Sequence, residues 1–485
     1  MDGVGINLVY NIIYQILVII VPLVISPYLA RTLGVEQIGV YSYTYSIVFY
    51  FMIFAVLGIS NYGNRSIAKI RDDKEKTSKM FCSIYSLQLC LSIIVIFTYS
   101  VYCVLISRTY VLLSWIQGLY IISNMLDITW YFYGKENFKL TVLRNAAVKF
   151  ISLVAILYFV KGPDDVWIYT LIMSGSTVLG QAMLWPQLFK EVKLTRVSFS
   201  GMIAHLKPAF ILFIPVLAIS VFSFMDKVML GNISGMVETG FYENSEKIIS
   251  IPKAMITAVG TVMLPRTSNM LAKGKNDEIK SNIQITMIGV LAVAFACAFG
   301  LSAVANTFAP VFWGTGFERC GTIIAYMTPA LIFSVFGNVI RTQYLIPKEM
   351  DSAYTISLVL GAVTNFVINS LLIGRYGALG ATIGTIAAEA VLCIYQTWAV
   401  RKHLEIKCYL SNGVPFLIIG LIMFLAIKVI EPFISVSIIG LVAEIIVGGS
   451  IYIILCVIYI KHSHNEMVCQ LYENIMRRIK VKMRK

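Results

Sequence analysis

The apolar residues of this chain collect into stretches of about 20 or more, separated by short polar connections, and the pattern recurs about fourteen times. A stretch of that length crosses the hydrocarbon core of a bilayer as a helix. Helix is the form available to it, because in lipid every backbone N–H and C=O must be satisfied within the segment. The spans read as 5–30, 38–61, 80–106, 109–133, 140–160, 166–188, 208–231, 238–263, 283–308, 320–344, 352–373, 377–400, 412–430 and 436–460. Hydrophobic residues make up 58% of 485, about 280, which is what fourteen such spans consume. What is left suffices for connections but not for a sizeable extramembrane domain. With 13% charged residues, about half the usual share, a soluble enzyme is excluded, as are disordered and disulfide-stapled classes. The expected fold class is an all-α polytopic membrane protein. Its first apolar stretch, Val4 to Ala30, is too long for a signal-peptide core and is expected to remain as a helix.

A net charge of +14 raises the question of nucleic acid, and the distribution of the charge answers it. Of 39 Lys and Arg, 29 fall on one side: 27 in one alternate set of connections and the C-terminus (64–79, 134–139, 189–207, 266–280, 346–351, 401–407 and the tail), with Arg144 and Arg341 at the helix ends beside them. Five lie in the opposite set (Arg31, Arg108, Lys161, Arg319, Arg375) and five inside apolar segments (Lys149, Lys227, Lys247, Lys253, Lys428). This is the positive-inside asymmetry. It places both termini in the cytoplasm and makes membrane lipid, not nucleic acid, the expected partner of the basic tail RRIKVKMRK. The nine cysteines form no C-x-x-C pair, and all four histidines (His205, His403, His462, His464) fall in the cytoplasmic set, so no metal site and no cofactor is expected.

The chain repeats itself at an offset of 201 residues. LARTLGVEQIGVY (29–41) lies over LGNISGMVETGFY (230–242), with Leu29 on Leu230, Gly34 on Gly235, Gly39 on Gly240 and Tyr41 on Tyr242. Without a gap, Arg65 then meets Arg266 and Lys74 meets Lys275. Six helices separate the copies, an even number, so the repeat is parallel, as in many secondary transporters that hold substrate between their halves. The expected organisation is an N-terminal lobe (1–200, helices 1–6), a C-terminal lobe (201–405, helices 7–12), two additional helices (406–460) and a basic tail (461–485).

Charge within a membrane is costly and normally faces a bundle interior or a wet cavity. In helix 8, Glu243, Glu246, Lys247, Ser250, Lys253 and Thr257 share one arc at 100° per residue. Two readings stand: a structural pair, Glu243 with Lys247 at i,i+4, or a cavity lining that uses the whole stripe. Asp226 and Lys227 lie in helix 7, Asp127 in helix 4, Lys149 in helix 5, Arg341 in helix 10, Asn365 in helix 11 and Glu389 in helix 12. Tyr41 and Tyr45 share a face of helix 2, and Arg31 closes helix 1. Lys428 and Glu444 are expected to snorkel or to pair with each other. Pro22, Pro27, Pro208, Pro215 and Pro252 are expected to act as hinges.

The opening NLVYNIIYQILVIIVPLVISPYLARTLGVEQIGVYSYTYSI (7–47) and the run YLIPKEMDSAYTISLVLGAVTNFVINSLLIGRYGALGATIGTIAAE (344–389) resemble the Wzx or RfbX-like polysaccharide flippases of the multidrug/oligosaccharidyl-lipid/polysaccharide exporter superfamily. The resemblance covers nearly the whole chain. It implies two six-helix lobes around a central cavity. It also implies translocation of undecaprenyl-pyrophosphate-linked oligosaccharide across the bacterial cytoplasmic membrane by alternating access, for cell-surface polysaccharide. The partners then implied are the lipid-linked oligosaccharide, membrane lipids and a polysaccharide polymerase with other assembly proteins. A coupling ion, H⁺ or Na⁺, is left open, as is the glycan. The rival within the superfamily is a cation-coupled drug exporter, which would favour carboxylates and aromatics over cations such as Lys149, Lys227, Lys247 and Lys253. A membrane polymerase or ligase would need a long external loop with acid/base groups, and the longest external connection here is about ten residues.

Overall fold

In the computed structural model residues 3–463 are described, without the side chains of residues 3–20, Phe138, Phe222 and Thr261. The basic run 477–485 and His464 lie outside the described residues. The elements are α1 (Gly3–Val56), α2 (Ile59–Ala68), α3 (Lys74–Leu105), α4 (Val111–Gln117), α5 (Leu119–Met125), α6 (Thr129–Gly134), α7 (Phe138–Phe159), α8 (Val166–Ala182), α9 (Trp185–Glu191) and α10 (Phe199–Ile203). There follow α11 (Leu206–Ile233), α12 (Met236–Ala272), α13 (Asn276–Trp313), α14 (Glu318–Ile340), α15 (Asp351–Tyr376), α16 (Ala378–Val400), α17 (Ile406–Ile430) and α18 (Ile438–His462). Contacts divide the chain into two compact units that meet in sequence at Gly240 and Phe241.

Helix α1 has 54 residues and would be about 80 Å long if straight, more than twice the hydrocarbon thickness. It is broken at Gly34, where φ is 77° and ψ 169°, so it supplies two spans. With that division, the fourteen expected spans are all present as helix. The ends differ from expectation. The basic connections are largely helical: 64–68 belongs to α2, 74–79 to α3, 266–272 to α12 and 276–280 to α13. Lys, Glu and Met are good helix formers, and a cap starts the next helix: Asp73 Oδ1 accepts from the backbone N–H of Glu75 and Lys76 at 3.0 Å each. The second expected helix, 38–61, is interrupted at Leu57 and Gly58, which take φ of 43° and 74°.

The fourth expected helix, 109–133, is in three pieces. Its breaks expose backbone carbonyls that lipid could not satisfy. Gln88 of α3, fully buried, donates to the carbonyls of Asn124 (2.7 Å) and Asp127 (2.8 Å), and its own Oε1 accepts from Trp130 Nε1 at 3.0 Å. Around Trp130 the first unit builds a tight core. Added to Gly63, a Cβ would stand 2.5 Å from the Trp130 ring, and Phe81, Ile59, Ile67 and Leu184 complete the cluster.

The repeat has a physical counterpart in the first unit. Gly34 and Gly235 both have positive φ, 77° and 91°, a conformation that costs glycine nothing. Five residues on, the two segments cross against each other's backbone. Placed on Gly39, a Cβ would lie 1.8 Å from the Met236 carbonyl oxygen. On Gly240 it would lie 2.0 Å from the Val35 carbonyl oxygen. Val35 and Met236 are themselves equivalent at the offset of 201, so the contact is reciprocal. Of the expected hinges, Pro22 and Pro27 lie inside α1, Pro215 inside α11 and Pro252 inside α12. Pro208 is instead the third residue of α11, where its missing N–H would have had no intrahelical partner.

Outward faces are apolar: Phe97 is 70% exposed and Leu371 72%. In a soluble protein such surface would be a defect, whereas against acyl chains it costs nothing.

Candidate functional site

The polar stripe of α12 in the second unit is the densest group of ionisable side chains within the apolar spans. Lys247 Nζ lies 2.9 Å from Glu243 Oε1, one turn away on the same helix. Lys253 Nζ lies 2.6 Å from Oε1 of Glu389, on α16 and 136 residues distant. The two lysines are six residues apart, about 9 Å along the helix axis. In both pairs the carboxylate is the buried partner. Glu243 and Glu389 are 14% and 6% exposed, their lysines 40% and 38%. The ammonium groups therefore form the accessible surface, and the carboxylates neutralise them from behind. Around them, Tyr242 Oη and Thr385 Oγ1 share a hydrogen bond at 2.8 Å, and Ser250 Oγ donates to the Lys247 carbonyl. Glu246 is half-buried on the same stripe. The structural pair of Glu243 with Lys247 is thus present, with Lys247 the more exposed partner. On the opposite face Ile248, Ile249 and Ile256 are buried, and Met255 is 64% exposed.

A second group belongs to the first unit and is aromatic. Tyr41 and Tyr45 stack at 5.9 Å, and Phe49 continues the face. Tyr169 of α8 meets Tyr41 edge-on at 4.7 Å, Tyr120 of α5 meets Tyr45 at 5.1 Å, and Phe224 of α11 stacks on Phe49 at 3.9 Å. The Tyr41 and Tyr120 hydroxyls are 2.9 Å apart. Buried Gln117 donates to Thr44 Oγ1 at 2.7 Å and locks α4 to this face. Lys227 Nζ stands 5.4 Å from the Phe224 ring, and Lys227 and its neighbour Asp226 are both buried. Sequence reading found Tyr41 and Tyr45 but missed Tyr120, Tyr169 and Phe224. The spacing of Tyr41, Tyr45 and Phe49 at i, i+4 and i+8 pointed to an aromatic face, but its partners come from three distant segments.

The remaining candidates are dispersed. Asp127 does not sit within a helix: it occupies the break before α6, where Oδ1 accepts from Thr129 N (2.9 Å) and Oγ1 (2.6 Å). Asn365 is fully buried and accepts from Asn369 Nδ2 at 3.2 Å, within a face where a Cβ on Gly384 of α16 would stand 2.0 Å from Asn369 Oδ1. This is a helix-to-helix seam rather than an open surface. Arg341 begins a π-turn over 341–345 and lies 5.7 Å from the Tyr354 ring. Lys149 is half-buried in α7, and Arg31 is exposed just before the Gly34 break. The expected pairing of Lys428 with Glu444 does not occur. Lys428 binds Glu431, three residues on, at 2.8 Å, and fully buried Glu444 accepts from Thr307 Oγ1 at 3.0 Å. The closer, more solvated carboxylate holds the cation because the pair then pays less desolvation. Among the described residues, no three of His, Cys, Asp and Glu gather in a way that could hold a metal ion.

Two family profiles match the chain over more than half its length. One, described as Polysaccharide biosynthesis protein, covers residues 4–271, and the other, described as Lipid II flippase MurJ, covers residues 147–459. The putative O-antigen transporter of Escherichia coli K12 is 21% identical over 407 residues, 83% of this chain and 98% of that protein. The lipid II flippase MurJ of Bacillus subtilis is 24% identical over 192 residues, 38% of this chain and 35% of that protein. In fold, the chain is similar to a lipid II flippase MurJ in an inward closed conformation. The TM-score is 0.65 at 16% identity, covering 94% of this chain and 99% of the other. It is also similar to an inward-facing MATE family transporter, with a TM-score of 0.56 at 14% identity, covering 87% and 95%.

Proposed function

The chain belongs to the polysaccharide biosynthesis protein family of membrane flippases for lipid-linked oligosaccharide, and from that premise we propose how it handles its cargo and what that cargo is. The cargo is an undecaprenyl-pyrophosphate-linked repeat unit for a cell-surface polysaccharide, moved across the cytoplasmic membrane by alternating access with both termini in the cytoplasm. The single observation that carries the proposal is the arrangement of α12: two lysines about 9 Å apart, each about 40% exposed, each backed by a more buried carboxylate. A diphosphate needs concentrated positive charge in a low dielectric. Lysines neutralised from behind can be held in a membrane at rest and still offer ammonium protons to an arriving phosphate. The aromatic face of Tyr41, Tyr45 and Phe49 suits the apolar faces of sugar rings, and the tyrosine hydroxyls suit their hydroxyl groups.

The test is to delete the protein and follow both ends of the route. Lipid-linked repeat units should accumulate in the inner leaflet while surface glycan falls. Normal surface glycan in a strain without another exporter would overturn the reading. A drug exporter would instead show changed drug resistance with glycan untouched.

A further inference from the structure

In the second unit a cavity of about 530 Å³ opens between α13, α14, α16 and α17, well away in sequence from the lysine stripe of α12. Its volume falls in the range of about 300–1,000 Å³ typical of small-molecule sites. The walls are almost wholly apolar, with Phe295, Phe336 and Leu417 among them. Its outer rim is exposed: Ile394 is 63%, Trp398 54% and Val414 49% accessible. One charged residue lines it, Arg401, just past the end of α16. The guanidinium lies 4.3 Å from the Trp398 ring, and one of its N–H groups donates to the Trp398 carbonyl at 2.6 Å. Arg401 makes no ion pair among the described residues, so the far side of its guanidinium fork is open to an anion.

We infer that this groove is a binding site for an anionic glycerophospholipid, with an acyl chain between α14, α16 and α17 and the phosphodiester on Arg401. Three features select that occupant. An outward-opening apolar slot in a membrane-spanning region meets lipid tails before any other ligand. Trp398 at the rim has an amphipathic ring of the kind that sits at headgroup level. A single uncompensated guanidinium matches the single negative charge of a phosphodiester, whereas a diphosphate would call for more cations. Lys402 and Lys407 beside it raise the local potential for anionic lipid, against one acidic neighbour, Glu405.

The experiment uses the full-length protein reconstituted in phosphatidylcholine nanodiscs, titrated with phosphatidylglycerol or phosphatidylcholine brominated on one acyl chain. Bromine quenches tryptophan at short range, and the Trp398→Phe protein supplies the signal of the other five of six tryptophans for subtraction. The Trp398 signal should be quenched at several-fold lower mole fraction of the phosphatidylglycerol probe. Arg401→Gln should bring the two lipids to near-equal potency while leaving quenching itself intact. Val414→Trp fills the slot and, in the Trp398→Phe background as reference, should abolish the preference. Lys402→Gln, a cation outside the lining, should weaken the preference less than Arg401→Gln does. Equal quenching by both lipids in the unaltered protein would overturn the inference, and so would a preference that survives Arg401→Gln. Displacement of the probe by undecaprenyl pyrophosphate at lower mole fraction than by phosphatidylglycerol would also overturn it, by giving the groove to the cargo.

Discussion

Replacing Lys253 and Glu389 singly should hurt the protein unequally, and the inequality follows from their exposure. At about 3 Å and an effective dielectric constant of about 20, the attraction between unit charges is about 5 kcal/mol before desolvation. Lys253 is 38% exposed, so solvent screening brings the net worth of the pair to about 1–2 kcal/mol. Glu389 is only 6% exposed. Lys253→Gln strands that carboxylate and should cost about 3 kcal/mol. Glu389→Gln strands a lysine that can turn to water and should cost about 1 kcal/mol. The double change leaves no stranded charge and should be at least as stable as Glu389→Gln. Thermal stability of the purified proteins measures this order, and surface glycan per folded molecule measures transport. If Lys253 binds phosphate, the double variant recovers stability and remains defective in export. Full recovery of export would refute a substrate role for Lys253, and equal destabilisation by the two single changes would refute the exposure argument beneath it.

Gly39→Ala and Gly240→Ala should each abolish folded protein, because the new methyl would meet a backbone carbonyl at 1.8 or 2.0 Å that no rotamer change can move; detergent-solubilised monodisperse yield measures it, and Gly289→Ala, with open space around it, is the control. A cysteine placed at Lys273, in the three-residue turn between α12 and α13, should be labelled only after permeabilisation; labelling by an impermeant reagent in intact cells would reverse the proposed topology. Asp73→Ala should increase amide exchange in the first turn of α3, since two backbone N–H groups lose their acceptor. Those backbone bonds hold the Asp73 carboxyl below its ordinary value, so the cap contributes fully above that value and is lost as pH falls through the lowered one; protection of 75–79 should drop at acid pH in the native protein and be insensitive to pH in Asp73→Ala.

What was legible in the sequence was set by local rules. Hydropathy over about 20 residues places a span without reference to any other part of the chain. The matched Gly34 and Gly235 mark two turns, because only a residue without a side chain takes that φ freely. What was not legible depended on partners far along the chain. The break between α5 and α6 is tolerated because Gln88, from the preceding helix, satisfies the carbonyls of Asn124 and Asp127. Asp127 looked like an intramembrane charge, and only the break turns it into a turn-capping residue. Glu389 and Lys253 were both visible as buried charges, but their union needs the packing of α16 on α12. The aromatic face of 41–49 was half visible, since its own spacing is helical while its covering rings come from α5, α8 and α11.

The separation of Lys253 from Glu389 also sets a timetable. Lys247 enters the bilayer with its carboxylate partner, Glu243, already four residues ahead of it. Lys253 has no such escort. Its partner is 136 residues later in the chain, and ribosomes add about 5–20 residues per second. For roughly 7 to 27 seconds the ammonium must be kept by water, by lipid headgroups or by the insertion machinery. During that interval α12 has reason to stay near the edge of the membrane or beside the translocon. The ion pair that holds Lys253 in the finished protein forms only when α16 arrives, so this part of α12 waits on a helix made four spans later.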